Sequence, residues 1–269
     1  MAAARAVATD RGVSCDRAAV VYSGSNVLVH LRPAPVVARV MTGTVVLHAD
    51  PRRWLEREVS VLRFLASSGL AVAPSSLIAP GPYKQDELWM TCWEWVAHQR
   101  QTELAVDAEN LGRALRDLHR ELSGFAGDLG DLLDVQEDIE RLHRQLRPIA
   151  TLSADTRDSL RRRLYALGNT VFASPLPTQA LHGDASLTNL LRTPDGLIWN
   201  DFEDVCRGPV HWDVAGFLIS LRARGADSAF IARALDAYGG LDEQELAPFA
   251  EAHDLYGELW RLYDVQRRW

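Results

Sequence analysis

Between residues 20 and 41 the apolar β-branched residues come in short runs, VVYSGSNVLVHL and PVVARVM, interrupted by Gly, Asn and Pro. That is the pattern of hairpin strands in a small antiparallel sheet. At Pro51 the period changes. PRRWLEREVSVLRFLASSG opens with proline, repeats its apolar positions at helical spacing and ends on Gly69, which predicts a helix of about four turns. ELWMTCWEWV (87–96) returns to strand character. Beyond residue 97 helical spacing dominates, over 107–123 with Leu111, Leu115, Leu118 and Leu122, over 131–147 and over 154–167. Two short strands, QALHG (179–183) and GLIWND (196–201), are expected to enclose a polar stretch in a hairpin with TPDG as the turn. Helices resume through WDVAGFLISLRARG, SAFIARALDAYG and a tail from Asp242. This order predicts an α+β, bilobal chain: a small antiparallel β lobe over 1–96 and a larger helical lobe over 97–269.

Composition narrows the class without naming an activity. A chain of 269 residues with 47% hydrophobic positions can bury its own core, and no repeat, heptad run or low-complexity block points elsewhere. The start, MAAARAVATDRG, has no apolar run ahead of its charges, and no apolar run approaches membrane length, so neither secretion nor a membrane span is expected. Cys15, Cys92 and Cys206 are odd in number, far apart and without C-x-x-C spacing, which suits buried thiols in a reducing cytoplasm. A net charge of −7 gives no support to a nucleic-acid partner, whereas a cationic small molecule would be attracted. Lys84 is the only lysine, so any role commonly given to a buried lysine must fall to another residue.

The chemistry concentrates in LHGDASLTNLL (181–191). Asp184 and Asn189 are five residues apart, and Asp201 closes the following strand in NDFED. A kinase catalytic loop places its Asp five residues before its Asn and brings a second Asp on the next strand. Phosphoryl transfer needs a carboxylate within reach of the acceptor hydroxyl and oxygen ligands that hold Mg²⁺ against the phosphates. On this reading Asp184 is the base, and Asn189 and Asp201 hold the metal. Any one of them alone reads as a loop cap or turn residue; the ordered set, flanked by strands, carries the argument. His182 is expected to orient the loop through hydrogen bonds, and His119 and His143 to be packed or on a helix surface.

HGDASLTN followed by DFEDVCRGPVHWDVA resembles the aminoglycoside phosphotransferase family, the small-molecule branch of the protein-kinase-like fold, and the resemblance spans essentially the whole chain. His182, Gly183, Asp184, Asn189, Asp201, Phe202, Glu203, Gly208, Pro209, Trp212, Asp213 and Ala215 follow the family pattern, with Val214 a mild departure. Gly208, Pro209 and Asp213 read as turn and helix-cap residues. The resemblance implies ATP or GTP as phosphate donor, with Mg²⁺. It further implies Ser25 and Asn26, in the turn of SGSNVLVHL, on the phosphate side, where backbone N–H groups approach anions. The strand TCWEWV becomes the hinge between lobes, with backbone groups from Trp93, Glu94 and Trp95 to Val96 facing the purine edge.

The resemblance also implies a basic residue on the strand after that turn, and Arg39 in VVARV holds the position. Arginine keeps the charge and offers two N–H groups to phosphate oxygens, although its geometry differs from that of lysine. Its expected partner is Glu58. That residue lies four positions from Trp54 and Leu62 and three from Leu55 and Val61, inside the apolar stripe, whereas Glu56 falls with Arg52, Arg53 and Arg63. An inward carboxylate wants a cation.

Between Asp201 and Asp213 there is no room for the activation segment of a protein kinase, and no A-P-E follows, so a small hydroxylated acceptor is expected rather than a protein. Glu251, Asp254 and Glu258 line one edge of the tail helix, a place for a cationic amino sugar. The leading expectation is phosphorylation of an aminoglycoside-like amino sugar, an antibiotic-resistance activity. A kinase of a choline-like or other hydroxylated metabolite stands beside it. So does a catalytically silent nucleotide-binding module, for which Arg39 is the one favourable feature.

Overall fold

Ser23 pairs with Val27 across the reversal at 24–26, which separates β1 (Cys15–Ser23) from β2 (Val27–Pro33). With β3 (Val36–Val40), β4 (Tyr83–Gln85) and β5 (Leu88–Glu94) these strands form an antiparallel sheet of order β1-β2-β3-β5-β4. The computed structural model describes residues 1–46, 48, 50–99, 104, 106–146 and 153–267. Arg39 sits on the central strand, opposite Leu28 on one side and Thr91 on the other.

Alternation along β3 sends Val36, Ala38 and Val40 into one core and Arg39 to the opposite face. The first core is closed by α1 (Ala2–Asp10), whose Ala3, Ala4, Val7 and Ala8 pack with Val29, Leu31, Met90 and Cys92. This helix has no counterpart in the sequence expectations, because AAARAVAT offers small residues where a long apolar stripe would be sought. On the Arg39 side lies α2 (Pro51–Leu65), with Pro51 at its first turn and Asp50 accepting the Arg53 N–H at 3.2 Å. Trp54, Leu55, Glu58, Val61 and Leu62 are buried while Arg52, Glu56 and Arg63 are exposed, as the stripe requires. Burying each large apolar side chain of this stripe stabilises by roughly 1.5–3 kcal/mol.

The strands around the polar stretch pair differently from the expected hairpin. β6 (Gln179–Leu181), β7 (Leu190–Thr193), β8 (Gly196–Trp199) and β9 (Cys206–Gly208) make two separate ladders, β6 with β9 and β7 with β8. Residues 190–199 close on themselves because Pro194 and Asp195 form a two-residue loop ending at Gly196, whose φ of +136° disfavours other residues. The 179–181 segment is left to pair with the strand that follows Asp201.

Two compact units result: Met1–Thr102 with Gly124–Asp128 and Thr188–Val205, and Glu103–Ser123 with Leu129–Leu187 and Cys206–Trp269. The sequence expectation cuts the chain once, at residue 96, whereas here the β7–β8 hairpin groups with the N-terminal sheet. Trp199 N–H donates to Leu70 O at 2.8 Å and its carbonyl accepts from Val72 at 2.9 Å.

The second unit is helical: α3 (Ala108–Leu122), α4 (Leu132–Gln145), α5 (Ala154–Leu167), α6 (His211–Ala223), α7 (Ser228–Tyr238) and α8 (Glu243–Arg267). The expected end of α4 at residue 147 lies outside the described residues. Asp107, Asp131, Ser153 and Asp227 each accept a first-turn N–H, which explains where α3, α4, α5 and α7 begin. Trp212, Val214, Phe217, Leu218 and Leu221 of α6 are all buried, so this helix lies in the interior of the unit.

Candidate active site

In the helical unit the site is built around one carboxylate. Asp213, in the first turn of α6, is fully buried and accepts three hydrogen bonds, from His182 N–H at 2.7 Å, Gly183 N–H at 2.9 Å and His119 Nε2 at 2.9 Å. Burial works against its charge, but the bond from His119, the nearby imidazoles and the His182 N–H outweigh it and hold the carboxyl below the usual range. Tyr238 lies 2.8 Å from His119 Nδ1, and burial raises its phenol, so the hydroxyl stays protonated and donates to Nδ1 while His119 Nε2–H donates to Asp213. Trp212 Nε1 donates to Gly183 O at 2.8 Å.

The backbone of 182–183 is thereby clamped on both its donor and acceptor sides. Gly183 has a φ of +88°, which turns the chain out toward Asp184. Asp184 N–H donates to His182 Nδ1 at 3.3 Å, so the His182 ring bonds within the loop, as the sequence led us to expect. Asp184 itself is exposed while His182, Gly183 and Ala185 are buried. A solvent-facing carboxylate on a locked loop can accept a proton at a fixed place.

In the sheet unit, Asn189 and Asn200 face each other at the base of the β7–β8 hairpin, with Asn200 N–H donating to Asn189 O at 2.8 Å. Asp201 follows directly, so the two expected metal ligands leave adjacent strands at the same end. Asp201 has a φ of +62°, a conformation most side chains avoid. A carboxylate and a carboxamide are hard oxygen donors, the set that holds Mg²⁺ when phosphate oxygens and water complete the octahedron. Among the described residues there is no group of three or more His, Cys, Asp or Glu that could by itself hold a metal ion.

Arg39 and Glu58 are paired, Nη2 to Oε2 at 2.6 Å, with Arg39 4% and Glu58 1% exposed. Burial opposes the guanidinium's charge, yet Glu58, Glu203 and Asp201 hold it charged and push its pKa well above the ordinary value. Burial raises the Glu58 carboxyl, with Arg39 pulling the other way. The fork is not open toward solvent. Its Nη1 donates to Glu203 Oε2 at 2.6 Å, and Nε lies 3.8 Å from Asp201 Oδ1. Glu203 has no role in the sequence expectations beyond its place in the family pattern.

Asn26, expected on the phosphate side, points inward. Its amide nitrogen donates to both Glu203 oxygens, at 2.8 and 3.0 Å, and its carbonyl accepts from Thr42 N–H and the Thr44 hydroxyl. Ser25 is half-buried and its carbonyl accepts from the Thr42 hydroxyl at 3.3 Å. At the expected hinge Trp93 is buried, with Nε1 bonded to Thr91 Oγ1, which in turn donates to Glu58. The N–H of Glu94 is taken by Ala73 O and that of Trp95 by Pro35 O, while the Trp95 ring stacks on His30 at 4.1 Å. These two N–H groups are thus engaged within the sheet unit. The acidic edge of α8 is also engaged: Arg163 of α5 reaches Glu258 at 2.8 Å and Glu251 at 3.7 Å.

The sequence matches the phosphotransferase enzyme family over residues 18–249, and the chain belongs to that family. It is a phosphotransferase with a hydroxyl acceptor. No curated protein matches the chain in sequence. Among solved structures it is similar to the choline kinase LicA from Streptococcus pneumoniae, with 15% identity over 95% of this chain and 88% of that one and a TM-score of 0.67. It is similar to the aminoglycoside phosphotransferase APH(3'')-Id from Streptomyces rimosus, with 19% identity over 94% and 96% and a TM-score of 0.66. The amicoumacin kinase hAmiN, crystallised with AMP-PNP, Ca²⁺ and amicoumacin, gives a TM-score of 0.71 at 13% identity over 91% and 80%. The fold is thus protein-kinase-like, with an antiparallel sheet unit and a helical unit. Among the described residues no helix is long and apolar enough to cross a membrane.

Proposed function

We propose that the protein transfers the γ-phosphate of ATP or GTP to a hydroxyl of an aminoglycoside-like amino sugar, working in the cytoplasm, where its three buried thiols stay reduced. The observation that carries this reading is the exposed Asp184 on a loop clamped by Asp213. Asp184 takes the acceptor's proton at its carboxylate and aligns the oxygen. Asn189 and Asp201 would hold Mg²⁺, which supplies charge neutralisation at the phosphates. Arg39 contributes the fixed positive charge on the phosphate side. Ser25 and Asn26 belong to the turn that approaches the phosphates, and backbone groups from Trp93, Glu94 and Trp95 to Val96 to the purine side. Nucleotide use is supported by the solved relatives crystallised with AMP-PNP and GDP. The acceptor is a small molecule; a net charge of −7 favours a cationic one over a nucleic acid.

A second acceptor class, choline-like or another hydroxylated metabolite, is favoured by a particular observation. Arg163 neutralises Glu251 and Glu258, whereas Trp260 and Tyr263 further along α8 present rings 5.8 Å apart, a surface suited to a quaternary ammonium. Donor consumption with a panel of aminoglycosides, amino sugars and choline, with the product's phosphate located by mass spectrometry and NMR, separates the classes. Asp184→Asn keeps the side chain's size and removes its charge. Turnover should fall about a hundredfold or more with little change in nucleotide affinity. Undiminished turnover would remove Asp184 from the mechanism.

A further inference from the structure

Glu203 joins three polar residues of the sheet unit, Arg39, Asn26 and Thr44. Its carboxylate, 7% exposed, accepts from Arg39 Nη1 at 2.6 Å, from Asn26 Nδ2 at 2.8 and 3.0 Å, and lies 3.2 Å from the Thr44 hydroxyl. Thr44 in turn contacts Asn26 Oδ1 at 3.0 Å. A continuous chain of bonds therefore runs from Trp93 through Thr91, Glu58 and Arg39 to Glu203, and on to Asn26 in the 24–26 reversal.

We infer that Glu203 is a positioning residue for the phosphate-binding machinery, the second carboxylate that an arginine at position 39 makes necessary. This rests on the nucleotide reading given above. A lysine ammonium is a point donor that one carboxylate can hold. A guanidinium is a planar fork, and one carboxylate on Nη2 fixes that nitrogen while leaving the plane free to swing about it. Glu58 supplies the Nη2 contact from α2, and Glu203 supplies the Nη1 contact from the segment that also carries Asp201. With both made, the guanidinium plane has one orientation, and its Nε side is set 3.8 Å from Asp201. The same Glu203 carboxylate holds the Asn26 amide, so the 24–26 reversal and Arg39 are registered against one another by a single group.

The test uses Mg²⁺ with AMP-PNP, or with GMP-PNP if that analogue binds the wild type, titrated calorimetrically into the full chain. Glu203→Gln keeps the size and the Asn26 contact but removes the charge that fixes Nη1. Affinity should weaken about tenfold in the wild-type background and by less than about twofold in Arg39→Lys, since a lysine needs only Glu58. Thermal unfolding of all four proteins separates a folding defect from misplacement: a purely structural Glu203 would lower stability alike in both backgrounds and leave affinity unchanged. Equal losses of affinity in the two backgrounds, or unchanged or tighter binding by Glu203→Gln, would overturn the inference while leaving the nucleotide reading intact. Failure of the wild type to bind either analogue would overturn both.

Discussion

A buried guanidinium is tolerated only where its charge is answered, and at Arg39 the answer is two carboxylates at 2.6 Å each. Removing the cation strands both of them. Arg39→Met should destabilise the fold by roughly 3–5 kcal/mol, the cost of breaking a buried pair from one side. Glu58→Gln added to that variant should restore part of the loss, because the stranded charge is gone. Urea unfolding of the two single variants and the double tests this; additive losses would show that Arg39 and Glu58 do not act as a unit. This pair was legible in the sequence. Helical spacing placed Glu58 within the stripe of Trp54, Leu55, Val61 and Leu62, and β-strand alternation left Arg39 as the odd residue among apolar neighbours. Glu203 was not legible as a partner, since 164 residues separate it from Arg39 and nothing local in DFED announces which side chain reaches the sheet. His119 likewise read as an ordinary helix residue, because its partners Asp213 and Tyr238 are set by packing between helices distant in sequence.

At the scale of elements, periodicity located the helices well and the strand partners poorly. Period and caps are local properties, whereas pairing depends on which ladder closes with the shorter loop. The 190–199 hairpin wins its own partner through the Pro194–Asp195 turn, and no pattern within 179–183 could show that. Close approach between helices is another non-local property, and Gly112 shows its cost. A Cβ built there would stand 2.1 Å from Ala234 O, a backbone atom of α7 that cannot rotate away. Alanine would improve the intrinsic helix propensity of α3 by about 1 kcal/mol. The forced separation of α3 from α7 outweighs that gain, and Gly112→Ala should be net destabilising by about 1–3 kcal/mol. A rise in the unfolding midpoint would show that the two helices are not in such close contact. Gly168 provides the control, because nothing lies within 4 Å of a Cβ built there.

For the molecule as a whole, the perturbed groups set how stability responds to acid. Burial lowers the pKa of His30, His211 and His253 below the ordinary value of 6.5. Each is therefore neutral in the fold at a pH where the unfolded chain begins to protonate it. Their contribution is complete above about pH 6.5 and is lost as pH falls from there through the lowered folded values, at up to about 1.4 kcal/mol per pH unit for each proton taken up. Asp213 has the same sign in a lower window: its contribution is present above its ordinary 3.8 and disappears as pH falls through its depressed folded value. Glu58 runs the other way, since a raised carboxyl favours the fold at low pH and loses that advantage as pH rises through the raised value. The histidine effect governs the approach from neutrality, and His253 offers the cleanest handle on it. Its ring packs on Trp212 at 4.0 Å and its Nε2 donates to Trp212 O at 2.9 Å, while Asp213 and Asp254 act to raise its pKa and burial prevails. His253→Gln retains a donor for that carbonyl without a titrating group. Unfolding free energy measured between pH 7.5 and 5 should fall less steeply in His253→Gln than in the wild type, even though the variant starts lower at pH 7.5. Parallel slopes would mean that His253 protonates equally readily in the folded and unfolded chain, and the acid response would then belong to the remaining groups.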